Sequence, residues 1–208
     1  MDIVTKIIAG GPGRRTRFHT EPNELIPMSG FAALPTVMAQ WLRTRLTGTR
    51  PEAPWWPLAV IPVIERHLSK DSNVIEFGSG SSTIWLAKRA RCVVSFEDDE
   101  NWHRKTLHRL KQAGLQNSEV LFRVDEGYYR LEGVDPDQQF DLAVVDGSWR
   151  WLCLEHVLPR MKPGGIVYLD NADADKDLRS YPEPSHRRLA QRKLETYLAA
   201  IIHDGDRI

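Results

Sequence analysis

Short apolar runs alternate with amphipathic stretches from residue 58 onward, and this alternation predicts an α/β fold. Five apolar runs have the length of strands, and they are Asn73–Phe77, Cys92–Phe96, Val120–Val124, Phe140–Val145 and Ile166–Leu169. Helical periodicity predicts six helices, at Ala32–Leu46, Leu58–Leu68, Ser81–Arg89, Asp99–Ala113, Trp151–Met161 and His186–Ile202. Helices between successive strands predict right-handed crossovers and a parallel sheet, in which ligands bind beyond the carboxyl ends of the strands.

The chain before residue 58 lacks this alternation of predicted strands and helices. Residues 1–57 carry one predicted helix, a glycine-rich basic stretch at 10–17 and three prolines around Trp55 and Trp56. We therefore predict an N-terminal extension or lid with one helix over residues 1–57. Residues 58–208 form the predicted ligand-binding domain.

Composition narrows the class of protein. Among the 208 residues, 28 Lys and Arg balance 28 Asp and Glu, so the formal net charge is zero. This balance argues against nucleic acid as a partner, because neutralising phosphates requires a basic excess. No apolar run reaches the roughly 20 residues of a membrane span. The basic residues near the start follow an apolar stretch, the reverse of a secretory signal. These patterns predict a cytoplasmic protein with no membrane partner.

A glycine loop with two nearby acids carries the chemical signal. The loop after the first strand reads Gly78-Ser-Gly80, and Glu76 precedes it within the strand. A carboxylate there would repel a pyrophosphate and attract a cation, and Thr83 stands where a dinucleotide-binding loop has Gly or Ala. Glu97 lies 17 residues after Gly80, close to the spacing at which an acid meets a ribose. The two acids thus indicate a ligand that carries a ribose and a cationic group, and S-adenosylmethionine has both.

Each of the two acids also has an interpretation that requires no ligand. Glu76 as a strand acid paired with a lysine would account for its position by structure alone. Glu97 heads an acidic run and would favour the start of the following helix without binding anything.

Four segments of the chain resemble the motifs of class I S-adenosylmethionine-dependent methyltransferases, and of their bacterial GSGxST type in particular. In order, these segments are Val74–Lys88, Val93–Trp102, Asp141–Gly147 and Lys162–Asn171. The resemblance covers about residues 58–171. It implies a Rossmann-like sandwich with a parallel five-stranded sheet in the order 3-2-1-4-5, and it makes residues 58–208 the S-adenosylmethionine-binding methyltransferase domain.

The resemblance also implies roles for individual residues. Glu76 would hold the methionine ammonium, and Glu97 would accept both ribose hydroxyls. Asp146 would lie on the sulfonium or acceptor side and would be the catalytic base for a hydroxyl acceptor, with His19 and His156 as further candidates. The other implied cofactor contacts line the methionine portion or the adenine, and they are Gly78, Ser79, Gly80, Ser82, Asp98, Trp102 and Asp125. Several tryptophans are equally suited to an acceptor wall and to core packing, and they are Trp55, Trp56, Trp149 and Trp151.

A metal site is a further implication. Asp146, Asp170 and Asn171 match the Mg²⁺ ligands of catechol-type O-methyltransferases, and oxygen ligands suit Mg²⁺. Those enzymes have a lysine three residues after the first Asp, where this chain has Trp149. The departure argues against both the metal and a catechol-like acceptor.

Together these observations predict methyl transfer from S-adenosylmethionine to a small molecule, at an oxygen nucleophile. An aminopropyltransferase-like enzyme and a non-catalytic S-adenosylmethionine-binding module are the alternatives, and an NAD-dependent oxidoreductase is disfavoured by Glu76 and Thr83. The residues after the fifth strand are predicted to form one helix, so strands six and seven of a full class I sheet are expected to be missing. The open edge would then be covered by the extension or by a second subunit in a homodimer.

Overall fold

The computed structural model describes residues 34–47, 53–57 and 60–170. Its helices are α1 (Leu34–Thr47), α2 (Ile61–His67), α3 (Ser81–Ala87), α4 (Glu100–Gln112), α5 (Asp125–Tyr129) and α6 (Arg150–Val157), with a 3₁₀ turn at Leu158–Arg160. Its strands are β1 (Asn73–Phe77), β2 (Cys92–Glu97), β3 (Ser118–Phe122), β4 (Phe140–Val145) and β5 (Met161–Leu169). No helix among these residues is long and apolar enough to cross a membrane.

The strands form one parallel sheet in the order β3-β2-β1-β4-β5, which confirms the predicted fold class. β1 lies in the middle, and all five of its residues are buried. Strands buried on both faces read as continuous apolar runs, which is why β1, β2 and β4 were recognisable in the sequence. The order reverses between β1 and β4, so the carboxyl end of β1 lies at the switch point of the sheet.

Helices cover both faces of the sheet. Ile64 of α2, Ile84 of α3 and Leu110 of α4 pack with residues from alternate positions of the strands on one face. Tyr128 of α5 and Leu154 of α6 pack on the other face. The two apolar clusters hold the sheet rigid, so the loops at its carboxyl edge are positioned by strands that cannot shift independently.

Some boundaries differ from the predictions. β3 spans Ser118–Phe122 rather than Val120–Val124, and α6 ends at Val157 before the 3₁₀ turn. The short helix α5 was not predicted at all. Residues 32–33 at the start of the first predicted helix, residues 58–59 of the second and the whole of His186–Ile202 lie outside the described residues.

The largest difference concerns β5. Residues Lys162–Gly165, which separate the predicted helix Trp151–Met161 from the predicted strand Ile166–Leu169, lie inside this strand, which begins at Met161 and contains an irregularity. Phe140 of β4 pairs with Met161, whereas Leu142 pairs with Ile166, so the extra residues of β5 bulge out of the ladder. Gly164 has φ +78°, the positive value that glycine tolerates at such a bulge. The Pro-Gly-Gly signal is therefore an in-strand bulge.

Candidate cofactor site

The candidate site lies where β1, β2 and β4 end, and backbone hydrogen bonds join their loops. The amide of Gly78 donates to the carbonyl of Phe96 at 2.9 Å, and the amide of Asp146 donates to the carbonyl of Phe77 at 2.9 Å. Gly78 has φ +96°, and a Cβ built on it would lie 2.9 Å from the Cα and the amide nitrogen of Gly147. Glycine is thus required here both by the backbone conformation and by the contact between the two loops.

Glu76 lies directly under the glycine loop and is completely buried. Its Oε2 accepts hydrogen bonds from the hydroxyls of Thr83 and Ser95, each at 2.6 Å. Its Oε1 is also buried and has no hydrogen-bond partner among the described residues. Burial raises the pKa of Glu76 to about 6, although the hydroxyl hydrogen bonds oppose that rise. The side chains that donate to it are hydroxyls, and none within the described part of the chain is a lysine.

Thr83 connects this buried acid to the loop above it. The amide of Gly80 donates to Thr83 Oγ1 at 2.8 Å, and Thr83 in turn donates to Glu76. Sequence reasoning used Thr83 only as a departure from the dinucleotide pattern and missed its role, as it missed that of Ser95. A hydroxyl residue three positions after Gly80, at the first turn of α3, is the signal that was available for Thr83.

Glu97 ends β2 and is 5% exposed. Its Oε2 accepts from the amide of Ser79 at 2.9 Å and from the Ser79 hydroxyl at 2.8 Å. Its Oε1 accepts from the amides of Asp98 at 3.2 Å and Asp99 at 3.1 Å. Burial raises the pKa of Glu97, while the hydrogen bonds from Ser79 and Asp99 lower it. The carboxylate is therefore held firmly at the predicted place, between the glycine loop and the start of α4.

Trp102 closes the loop from the α4 side. Its indole Nε1 donates to the carbonyl of Ser79, and its ring is 38% exposed. A Cβ on Gly80 would lie 3.2 Å from that nitrogen, so the indole packs directly on the loop. Its backbone amide donates to the Asp99 carboxylate at 2.7 Å, which caps the helix. The contact brings Trp102 to the glycine loop, and Lys105 Nζ lies 5.5 Å from the centroid of its ring.

The remaining predicted cofactor contacts surround this centre. Asp98 is half-buried beside Glu97, and Ser82 is buried in the first turn of α3. Asp125 is exposed beyond β3 as the first residue of α5 and has φ +48°. A positive φ at a residue other than glycine is a strained conformation of the kind that clusters at functional sites.

Asp146 follows β4 and is surrounded by donors that sequence reasoning did not assign. Trp56 Nε1 donates to its Oδ2 at 3.3 Å, and the Arg150 guanidinium lies 3.6 Å from its Oδ1. Burial and then the neighbouring Asp170 carboxyl raise the pKa of Asp146 to about 8, and Arg150 opposes this rise. Arg150 also donates to the backbone carbonyls of Gly147 at 3.0 Å and Asp170 at 2.5 Å. This residue therefore ties together the loops after β4 and β5.

The predicted metal ligands are brought together only in part. Asp146 and Asp170 lie at adjacent strand ends, and the Tyr168 hydroxyl donates to Asp170. Asn171 lies outside the described residues. Within the described part of the chain, no group of three or more His, Cys, Asp or Glu side chains is placed to hold a metal ion. The Mg²⁺ site remains a prediction.

Aromatic residues flank the same edge of the sheet. Trp149 follows Asp146 with φ +51°, is 37% exposed, and lies 6.1 Å from the ring of Tyr129. The ring of His156 stacks on Tyr129 at 5.8 Å. Trp56, by contrast, is completely buried, so core packing explains most of its surface, while the neighbouring Trp55 is 77% exposed. His19 lies outside the described residues.

Solved structures show the class of fold to which this arrangement belongs. A proposed caffeoyl-CoA O-methyltransferase from Staphylococcus aureus is 13% identical and aligns over 85% of this chain and 90% of that chain, with a TM-score of 0.54. An rRNA methylase from Streptococcus thermophilus is 22% identical over 56% of this chain and 73% of its own, with a TM-score of 0.46. A proposed methyltransferase from Streptococcus mutans, in complex with SAH, is 18% identical over 58% and 78%, with a TM-score of 0.44. The likeness to the Staphylococcus aureus structure, together with the sheet order, shows the Rossmann-like methyltransferase fold.

A family model matches part of the sequence. Residues 75–172 match the family model described as a methyltransferase domain. The match begins in β1 and includes Glu97, Asp146 and Asp170. No curated protein is similar enough to this chain to be matched. Residues 75–172 thus match a methyltransferase domain, which confirms the predicted enzyme class.

Proposed function

We propose that this protein transfers a methyl group from S-adenosylmethionine to an oxygen atom of a small-molecule acceptor. The observation that carries the proposal is the buried carboxylate of Glu76 under the glycine loop, with one oxygen bound by hydroxyls and the other without a partner among the described residues. A buried carboxylate oxygen without a donor is costly, and a cationic ligand group or its water shell would relieve that cost.

The residues present suit the cofactor. Glu76 would attract the methionine ammonium, and Glu97 would accept from the ribose hydroxyls in exchange for part of its present donors. Gly78, Ser79 and Gly80 would lie along the methionine portion, because glycines allow the backbone to approach a ligand closely. Trp102 would flank the adenine with its exposed ring. When bound, the sulfonium supplies an already activated methyl group.

The acceptor side is assigned to the ends of β4 and β5. The ionised form of Asp146 would receive the proton of an acceptor hydroxyl, because burial and the neighbouring Asp170 carboxyl raise its affinity for a proton. Trp149, with its partly exposed ring, would shield that reaction from water and favour a flat or apolar acceptor. The chain thus mainly aligns the acceptor and receives its proton, which is what in-line transfer from an activated donor requires.

The segment before residue 58 belongs to this site in our proposal. Trp56 packs against Trp85 and Tyr168 with ring centroids 5.9 and 5.1 Å away, and it donates to Asp146. We therefore propose that the extension of residues 1–57 completes the acceptor side through residues near its end. The S-adenosylmethionine-binding domain then comprises residues 58–208.

Calorimetric titration with S-adenosylmethionine tests the cofactor assignment. We expect Glu97→Ala and Glu76→Gln to weaken binding at least tenfold each, because each removes a charged partner of the ligand. Glu119→Gln, a change of an exposed acid on β3, is the matched control and should bind like the native protein. Absent binding by the native protein, or native affinity in the Glu97→Ala variant, would refute the proposal.

Turnover over a panel of acceptors tests the reaction. Release of S-adenosylhomocysteine with hydroxylated small molecules, and its loss in Asp146→Asn, is the expected result. Methylation of amines alone would refute the oxygen acceptor. Donor binding with no turnover over a broad panel would instead favour a non-catalytic module, and turnover of the decarboxylated donor would favour aminopropyl transfer.

A further inference from the structure

The carboxylate of Glu97 is saturated by donors from its own chain. Each oxygen accepts two hydrogen bonds, and the four donors are the Ser79 amide, the Ser79 hydroxyl and the amides of Asp98 and Asp99. A carboxylate offers about four lone-pair sites, so further donors must displace some of those present. A ribose that binds Glu97 therefore competes with the protein for the same oxygens.

The four donors differ in how easily they can leave. Three are backbone amides, which leave only if the loop or the start of α4 moves. The fourth is the Ser79 hydroxyl, which can turn away by rotation about a single side-chain bond. Thr106 Oγ1 lies 3.2 Å from Ser79 Oγ, so the rotated hydroxyl keeps a partner in the buried interior. Ser79 is thus the donor that a ligand hydroxyl would displace.

We propose that Ser79 sets the affinity for the cofactor by competing with the ribose for Oε2 of Glu97. The proposal rests on the proposed function, because it takes Glu97 as the ribose acceptor. It makes a prediction opposite in sign to that of a simple cofactor contact. If Ser79 binds the ligand directly, its removal weakens binding; if Ser79 competes with the ligand, its removal strengthens binding.

Calorimetric titration with S-adenosylmethionine distinguishes the two cases. Ser79→Ala should bind about three- to tenfold more tightly than the native protein, the range set by losing one hydrogen bond that the ligand must otherwise break. Ser79→Cys, which has a similar shape and a weaker hydrogen-bond donor, should have an affinity between those of Ser79→Ala and the native protein. Ser81→Ala is the matched control: the Ser81 hydroxyl accepts from Arg109 at 3.0 Å, and its loss should leave the affinity unchanged.

A second arm tests whether the effect acts through Glu97. In the Glu97→Ala background, Ser79→Ala should no longer increase the affinity, since the shared acceptor is gone. Unchanged or weaker binding by Ser79→Ala, with Glu97→Ala still impaired, would overturn the competition and leave the proposed function intact. Native-like binding by Glu97→Ala would overturn both.

Discussion

Gly78→Ala is the substitution whose effect the structure specifies most completely. At φ +96° an alanine is strained by about 1–3 kcal/mol. Its Cβ would also lie 2.9 Å from the Cα and the amide nitrogen of Gly147, which are backbone atoms and cannot rotate away. Such overpacking costs about 1–3 kcal/mol more. The expected loss of unfolding free energy is therefore about 2–6 kcal/mol, a large part of the roughly 5–15 kcal/mol of a typical domain.

Gly114→Ala separates the two contributions. Gly114 also has a positive φ, +66°, but a Cβ there would meet nothing within 4 Å. Both substitutions remove the same glycine entropy from the unfolded chain, so that contribution cancels in the comparison. The difference between the two variants is then the contact with Gly147, about 1–3 kcal/mol, plus the extra strain of φ +96° over φ +66°.

Urea unfolding of both variants measures that difference, and calorimetry with S-adenosylmethionine measures its consequence. Gly78→Ala should lose cofactor binding, because separating the two loops displaces the amides above Glu76. Gly114→Ala, which follows α4 and is remote from the strand ends, should bind normally. Equal stability losses in the two variants would refute the packing argument, and normal binding by a folded Gly78→Ala protein would refute the assignment of the loop.

Three other side chains give further expectations. Because burial raises the pKa of Glu76 to about 6, the folded protein holds the carboxyl proton of Glu76 more tightly than the unfolded chain does. The free energy of unfolding should therefore fall as the pH rises from about 4.5 through 6. Glu76→Gln should flatten that slope in urea titrations at several pH values. Cofactor affinity should move oppositely, weakening as pH falls through about 6, since protonation removes the charge that attracts the ammonium; a pH-independent affinity in the native protein would contradict this role. Asp141→Asn should lower the free energy of unfolding by about 1 kcal/mol, because Lys162 donates to Asp141 at 2.8 Å and links β5 to β4. Cofactor binding should be unaffected, because this pair lies far from the site. An unchanged melting temperature in thermal unfolding would show that the pair contributes nothing. Trp102→Phe keeps the ring but loses the donor to the Ser79 carbonyl, so calorimetry should show a several-fold weaker affinity with the fold retained, and native affinity would exclude a role in holding the loop.

The sequence by itself determined the central strands and the glycine loop with its two acids. Through the family resemblance it also determined the order of the strands in the sheet. Strands such as β1 can be recognised in the sequence because burial on both faces requires a continuous apolar run. The glycines of the loop can be recognised because few other residues adopt such backbone conformations. These signals are local, so each can be recognised from neighbouring residues in the chain. The bulge in β5 escaped this reasoning, because Pro-Gly-Gly has the same composition in a turn and in an irregular strand.

The tertiary structure alone decided which donors surround the acids. Trp56 and Asp146 are 90 positions apart in the chain, and Ser95 and Glu76 are 19 apart. No periodicity relates such pairs, because their distance depends on how the strands are ordered and how helices pack upon them. The sequence could place Glu76 and Glu97 at strand ends, but only the packed sheet shows that, among the described residues, one has an oxygen without a partner and the other is saturated by Ser79 and its neighbours. Burial in a sheet removes water as a partner, so the available donors decide what each carboxylate can bind.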